Sequence, residues 1–264
     1  MVISSMQNPL IRQILKLDKA RNRKKERTIL VEGLREIRMA IKAGFEVRNI
    51  LYTSSTIDLS KLMVELEFSQ SNLFTEVTDA VFDQLVYRKG IANAFALLVP
   101  KFRELEEITL NQNPFILVVD AVEKPGNLGA MLRTADAAGV DEIIVCDPQT
   151  DLYNPNCIRS SLGAVFTRNV TVTTIDTCID WLKKNQINTF ITYLESANSY
   201  LEENYTLPTA IVLGSEAFGI RETWLNQGFK NIIIPQHGFV DSMNVSASSA
   251  ILIFEVLRQR LALK

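Results

Sequence analysis

The sequence predicts an α/β protein of two domains. Three observations carry this reading. Short apolar runs of strand character alternate with helical apolar stripes along nearly the whole chain. One polar stretch, residues 101–113 (KFRELEEITLNQN), interrupts the alternation and reads as a linker. Three strands of the second half run into loops rich in Gly, Ser, Asn or acidic residues, and open α/β sheets bind ligands at the carboxyl ends of their strands. The predicted domains are 1–103 and 114–264, joined by 104–113.

Bulk properties narrow the class. The chain has 264 residues, 47% of them hydrophobic, ample for more than one core. A net charge of -2 excludes a uniformly basic nucleic-acid binder, so the distribution of charge matters more than its sum. Cys146, Cys157 and Cys178 form no CxxC spacing, which indicates neither a disulfide framework nor a zinc site and points to reduced cytoplasm. With one histidine besides, no metal is expected. No run of eighteen apolar residues and no secretory h-region occurs, so no membrane span is expected. No GxGxxG occurs, which counts against a dinucleotide-binding Rossmann domain.

In the first domain, Asn8-Pro9 starts a helix with Leu10, Ile11, Ile14, Leu15 and Leu17 as its apolar stripe. A basic cluster follows. Lys16, Lys19, Arg21, Arg23, Lys24, Lys25 and Arg27 are opposed only by Asp18 and Glu26 within twelve positions. It reads either as a solvated face or as a patch for a phosphate backbone. Strands are expected at 28–31, 47–52, 74–77 and 91–99, and helices around Leu34 to Ile41, Leu59 to Leu66 and 79–86. Gly44 supplies a left-handed helix stop.

In the second domain, strands are expected at 115–119, 142–146, 170–173, 189–194 and 210–213. Ile232, Ile233 and Ile234, closed by Pro235, predict a last strand buried on both faces. Pro125-Gly126 forces a turn, Asn127 caps the helix behind it, and Gly139 ends that helix with Arg133 among apolar neighbours. Gly214 and Gly219 allow close approach to a ligand, with Glu216 the unexpected carboxylate between them. Glu216 reads either as a partner of a helix N-terminus or as part of a shared site. Ser242 and Asn244 precede the final helix, where free N–H groups meet short polar side chains. His237 reads as a surface loop residue rather than a base.

Lys124-Pro125-Gly126-Asn127-Leu128-Gly129-Ala130 with Arg133-Thr134, then Leu213-Gly214-Ser215-Glu216 with Gly219, then Ile234-Pro235 and Asp241-Ser242-Met243-Asn244-Val245-Ser246 stand in this order. Together they resemble the SpoU/TrmH family of RNA methyltransferases, part of the SPOUT superfamily. Ser5, Asn8-Pro9, the basic run and Leu30-Val31-Glu32-Gly33-Leu34-Arg35 resemble the small α/β, ribosomal-protein-like RNA-binding domain that precedes that catalytic domain. Departures are small: Met243 stands where Leu is usual, Gln236 where Met is frequent, and Asp241 where Glu or another polar residue is frequent.

The resemblance implies methyl transfer from S-adenosylmethionine to a ribose 2′-hydroxyl of RNA, with ribosomal RNA favoured over transfer RNA. It implies a C-terminal, trefoil-knotted SPOUT domain with a mostly parallel sheet, and a homodimer with the knot and the last helix at its interface. Ile251, Phe254, Leu257 and Leu261 are candidates for that contact or for ordinary core. By the same resemblance the cofactor is held near Leu213, Gly214, Ile234, Gln236 and Met243. Arg133 contacts the hydroxyl or its neighbouring phosphate, as a fixed cation or after transient deprotonation. Asn127, Ser242 and Asn244 position Arg133 and the substrate, and Glu216 orients Arg133 or a neighbouring backbone amide. Arg21, Arg23, Lys24, Lys25 and Arg27 are the expected RNA contacts. Three rival readings remain: a non-catalytic RNA-binding protein on this fold, a base methyltransferase, and a nucleotide-binding α/β enzyme.

Overall fold

Asn8 caps the first helix through its side chain, which accepts the Leu10 N–H at 2.9 Å, and Pro9 occupies the first helical position. The structure is a computed structural model that describes residues 2–86, 93–196 and 198–263. The chain divides into two units: Met1–Lys101 with Leu152–Thr167, and Phe102–Asp151 with Arg168–Lys264.

In the first unit, α1 (Pro9–Lys16) and α2 (Ala20–Glu26) precede β1 (Ile29–Glu32), α3 (Leu34–Lys42), β2 (Val47–Tyr52), α4 (Leu59–Leu66), β3 (Phe74–Glu76), α5 (Asp79–Leu85) and β4 (Ala94–Leu98). The sheet order is β1-β4-β2-β3; β4 runs antiparallel to both neighbours and β3 parallel to β2. Ile11, Ile14 and Leu17 of the first helical stripe enter a core with Val81, Phe82 and Phe95, whereas Leu15 stays exposed. The expected strand 91–99 is present from Ala94; its first two residues lie outside the described ones. Gly44 takes the left-handed conformation expected of a helix stop, with φ 71°.

The sequence places residues 152–167 in the second domain, while the packing groups them with the first unit. There α7 (Pro155–Ser160) and α8 (Ala164–Thr167) follow Tyr153, whose hydroxyl donates to the Lys101 carbonyl. Phe45 meets Phe166 and Tyr153 edge-on, with ring centroids 5.1 and 6.1 Å apart. Contacts of this kind come from residues far apart in the chain, and no local pattern announces them.

The second unit contains β5 (Phe115–Asp120), α6 (Pro125–Ala138), β6 (Glu142–Cys146), β7 (Val170–Thr173), α9 (Ile175–Lys184), β8 (Asn188–Thr192), β9 (Thr209–Leu213), α10 (Glu222–Leu225), β10 (Lys230–Ile232) and α11 (Val245–Leu261). Its strands form one parallel sheet in the order β10-β8-β9-β5-β6-β7. Every residue of β5, β6 and β9 is buried, as near-continuous apolar runs in a two-sided sheet require. Each such Ile, Leu or Val stabilises the fold by roughly 1.5–3 kcal/mol relative to exposure.

One strand expectation fails. β10 ends at Ile232, the only fully buried isoleucine of the three. It is an edge strand bonded to β8 alone, and Ile233 leaves the ladder to exchange hydrogen bonds with Asn198 and Tyr200. Ile233 and Ile234 are half-buried and face a cavity instead.

The strand order reverses beside β5. The chain runs from β5 outward through β6 and β7, then returns to the opposite side for β8, β9 and β10. Adjacent carboxyl ends at such a reversal leave a crevice. Here those ends belong to β5 and β9, which carry the first two sequence motifs.

Candidate active site

Three chain reversals converge at that crevice. After β5, Ala121 takes a left-handed conformation with φ 50°, and its N–H donates to Cys146 of β6 at 2.8 Å. The helix α6 then begins at Pro125 behind Lys124, which supplies no side-chain cap. The expectation that Asn127 caps this helix is corrected, because Asn127 is already the third helical residue. Just before the helix, Glu216 Oε2 accepts the Glu123 N–H at 3.2 Å. A carboxylate at a helix N-terminus also interacts favourably with the helix dipole.

After β9, residues 214–220 fold back on themselves. Ser215 N–H donates to Gly219 O at 3.0 Å and Gly219 N–H to Ser215 O at 3.1 Å. The turn requires Gly214. A Cβ built there would overlap the Gly219 carbonyl and lie 2.5 Å from the Ile220 nitrogen.

Side chains from the three sequence motifs form one hydrogen-bonded chain. Asn244 Nδ2 donates to Asn127 Oδ1 at 3.3 Å, and Asn127 Nδ2 donates to Glu216 Oε1 at 2.7 Å. Asn244 also caps α11, accepting the Ser246 N–H at 2.9 Å. Burial on its own would raise the Glu216 carboxyl. Hydrogen bonds from Asn127 and from the backbone N–H groups of Glu216, Glu123 and Lys124 outweigh it, holding the carboxyl below its ordinary value.

This network borders a cavity of about 530 Å³, a size suited to a small cofactor. Leu213, Gly214, Ile234, Gln236 and Met243 all line it, together with Glu216, Ser242, Asn244 and Lys124. Thr192, Tyr193 and Leu194, which the sequence shows only as the end of a strand, line it too. Gln236 Oε1 is buried with no hydrogen-bond partner among the described residues.

Arg133 is placed differently from the rest. It is exposed, does not line the cavity, and has no ion pair or hydrogen bond among the described residues, although its neighbours Leu132 and Ala135 are buried. The apolar surroundings expected for it are therefore corrected. Six residues of helix carry it roughly 120° around the axis from Asn127, off the face that meets Glu216. The oxygens of Glu216 engage Asn127 and backbone amides rather than Arg133. Of the two roles expected for Glu216, orienting a backbone amide is the one that this geometry supports.

Among the expected RNA contacts, Arg21, Lys24, Lys25 and Arg27 are exposed on or beside α2. Arg23 is only 3% exposed and donates to the carbonyls of Leu17 and Asp18, at 2.7 Å each. Its placement in a solvent-facing patch is corrected: the guanidinium closes the end of α1. No group of His, Cys, Asp and Glu among the described residues could hold a metal ion, and His237 is exposed.

Comparison with known proteins identifies the family. The sequence model of the SpoU rRNA methylase family matches residues 114–254, and that of an MRM3-like substrate binding domain matches residues 8–96. The 23S rRNA (guanosine(2553)-2'-O)-methyltransferase RlmP of Bacillus subtilis is 28% identical over 256 residues, covering 96% of this chain and 98% of its own. The 23S rRNA (guanosine-2'-O-)-methyltransferase RlmB of Haemophilus influenzae is 34% identical over 190 residues, 70% of this chain and 77% of its own. A crystal structure of an RNA 2'-O ribose methyltransferase superposes with a TM-score of 0.85 at 37% identity, covering 99% of this chain and 100% of that one. With three motifs joined at one cavity and matches that span both units, the chain belongs to the SpoU rRNA methylase family.

Proposed function

We propose that the protein transfers a methyl group from S-adenosylmethionine to a ribose 2′-hydroxyl of ribosomal RNA. The observation that carries this is the Asn244–Asn127–Glu216 chain, which brings the three motifs of a SpoU methylase sequence to one cavity. Two further features fit the cofactor. Gly214 keeps one wall free of a side chain, and the orphan acceptor of Gln236 suits an amino group such as that of adenine. An AdoMet-bound rRNA methyltransferase from Sinorhizobium meliloti shares the fold, with a TM-score of 0.87 at 25% identity over 98% of this chain and 97% of that one.

In this reading Leu213, Gly214, Ile234, Gln236 and Met243 hold the cofactor, which supplies an electrophilic sulfonium methyl. The protein's task is to present the hydroxyl in line and to stabilise the charge that develops on it. Glu216 and Asn127 keep the start of α6 fixed, Asn244 joins that helix to α11, and Ser242 contacts the substrate from the cavity edge. Arg133 acts as a cation towards the alkoxide or the adjoining phosphate. Residues 1–103 bind the RNA, with Arg21, Lys24, Lys25 and Arg27 as phosphate contacts; residues 114–264 form the catalytic domain, with the trefoil knot that the family resemblance implies. A homodimer and a cytoplasmic location complete the proposal. The three cysteines are free and buried, which suits a reducing compartment, and no described helix is long and apolar enough to cross a membrane.

The test is methyl transfer from labelled S-adenosylmethionine to total RNA from a strain lacking this protein, followed by nucleoside identification. Label on a ribose 2′-oxygen of 23S rRNA is expected, with Arg133→Ala folded but inactive. Label on a base would replace the mechanism, and near-normal turnover by Arg133→Ala would remove that residue from it.

A further inference from the structure

Asp120, the last residue of β5, is completely buried and ends a strand otherwise made of apolar side chains. An isolated charge there is costly without a partner. The partner is Arg221, which follows the cavity-lining loop 214–220 directly. Its Nε donates to Asp120 Oδ2 at 2.9 Å, and its Nη2 reaches Asp120 Oδ1 as well as Asp147 Oδ2, the latter at 2.7 Å. Asp147 stands just past the end of β6 and also accepts the Ile175 N–H at 3.2 Å. One guanidinium thus bonds the carboxyl ends of two neighbouring strands to the far end of the loop that follows a third.

Within the loop the Phe218 N–H donates to Ser215 Oγ at 3.0 Å, and Ile220 packs against the core. Ala217, Phe218 and Gly219 are exposed. At its near end, Glu216 binds Asn127 and the Glu123 amide. At its far end, the two-carboxylate clamp on Arg221 fixes where residues 219 and 220 lie, and so whether Gly219 can close the turn against Ser215. The planar fork of arginine suits this engagement, because Nε adds a second, parallel bond to Asp120 that a lysine ammonium lacks.

We propose that Arg221 is a positioning residue for cofactor binding: with Asp120 and Asp147 it holds the 214–220 loop in the shape that forms one wall of the cavity. This rests on the reading of that cavity as the S-adenosylmethionine site. Arg221 does not line the cavity itself, so its effect passes through the loop.

The experiment compares three proteins by calorimetric titration with S-adenosylmethionine and by hydrogen exchange at the Ser215 and Gly219 amides. They are the wild type, the double variant Asp120→Asn/Arg221→Gln, and Arg103→Met. The double variant removes the buried charge together with its partner, so it is expected to fold where Arg221→Gln alone leaves Asp120 uncompensated. Arg103→Met breaks another ion pair to a buried carboxylate, Glu142, at the opposite end of β6. Expected in the double variant are a Kd weakened about tenfold, as only a fraction of molecules keep the competent loop, faster exchange at both amides, and kcat at saturating cofactor within about twofold of wild type. Arg103→Met should keep the wild-type Kd. A wild-type Kd in the double variant, or equal weakening in Arg103→Met, overturns the proposal. A wild-type protein that binds no S-adenosylmethionine overturns the cofactor reading instead, and the exchange rates then still decide whether Arg221 orders the loop.

Discussion

Glu216 shows how one side chain reconciles opposed effects. Its surroundings disfavour charge by burial, yet four N–H donors converge on it and the charged form prevails. A carboxyl whose folded value is depressed contributes stability that is fully present above its unfolded value and is lost as the pH falls through the folded one. Urea denaturation from pH 7 down to about pH 3 should therefore show a Glu216-dependent loss that sets in below the ordinary carboxylate value. Glu216→Gln should be less stable at pH 7 by about 1–2 kcal/mol, because an amide N–H then opposes a backbone donor, and its stability should depend less on pH. Parallel curves for the two proteins would exclude this role. The motif pattern places Glu216 in a tight loop, but its partners lie 89 and 93 positions away in the chain, beyond any local spacing rule. Arg221 was still less visible, since nothing in the sequence ties it to Asp120 or Asp147.

At the level of elements, α11 shows a division of labour along one helix. Leu252, Ile253 and Val256 are buried in the fold, and the helix packs on α6 and β9. Ile251 and Leu257 are half-buried, while Phe254 and Leu261 are exposed at 48% and 55%. These four are the residues the sequence offered as dimer contact or core, and the fold leaves two of them, Phe254 and Leu261, exposed. A helix that keeps apolar residues on both sides of its axis is suited to bury the second side against a partner. Phe254→Glu should convert the proposed homodimer to a monomer of 29.7 kDa in sedimentation equilibrium while far-UV circular dichroism stays unchanged. A wild type that sediments as a monomer would exclude the dimer; a dimeric Phe254→Glu would exclude this face. Start signals were more legible than ends: Asn244 caps α11 as expected, whereas the three isoleucines before it mark an edge strand that stops early. Apolarity alone does not distinguish a strand interior from the wall of a cavity.

For the molecule as a whole, the net charge of -2 conceals a basic segment in the first unit. Lys24, Lys25 and Arg27 are exposed, while Arg23 in their midst is a structural cation. Replacing the three exposed residues by Ala should weaken RNA binding and reduce the slope of log Kobs against log salt by about 2, close to 0.7 for each lost phosphate contact with single-stranded RNA. Arg23→Ala should instead destabilise the protein by on the order of 2 kcal/mol, because two carbonyls lose a charged donor, and leave the salt slope unchanged. Filter binding across a salt series, paired with denaturation curves, separates the two. An unchanged slope in the triple variant would mean that the patch is only a solvated face.

The sequence by itself determined the α/β class, the strands at Val47–Tyr52, Glu142–Cys146 and Val170–Thr173, the capped starts at Asn8 and Asn244, and the three motifs that identify the family. These are local properties, set by side-chain periodicity, backbone preference and short spacing. Tertiary structure decided what depends on distant partners. It joined Asn127, Glu216 and Asn244 into one chain of hydrogen bonds and clamped Asp120 and Asp147 with Arg221. It turned Arg133 away from the face of α6 that meets Glu216, buried Arg23, and packed residues 152–167 with the first unit. Charge and polarity announce that a side chain needs a partner; only the folded path of the chain decides which partner it meets.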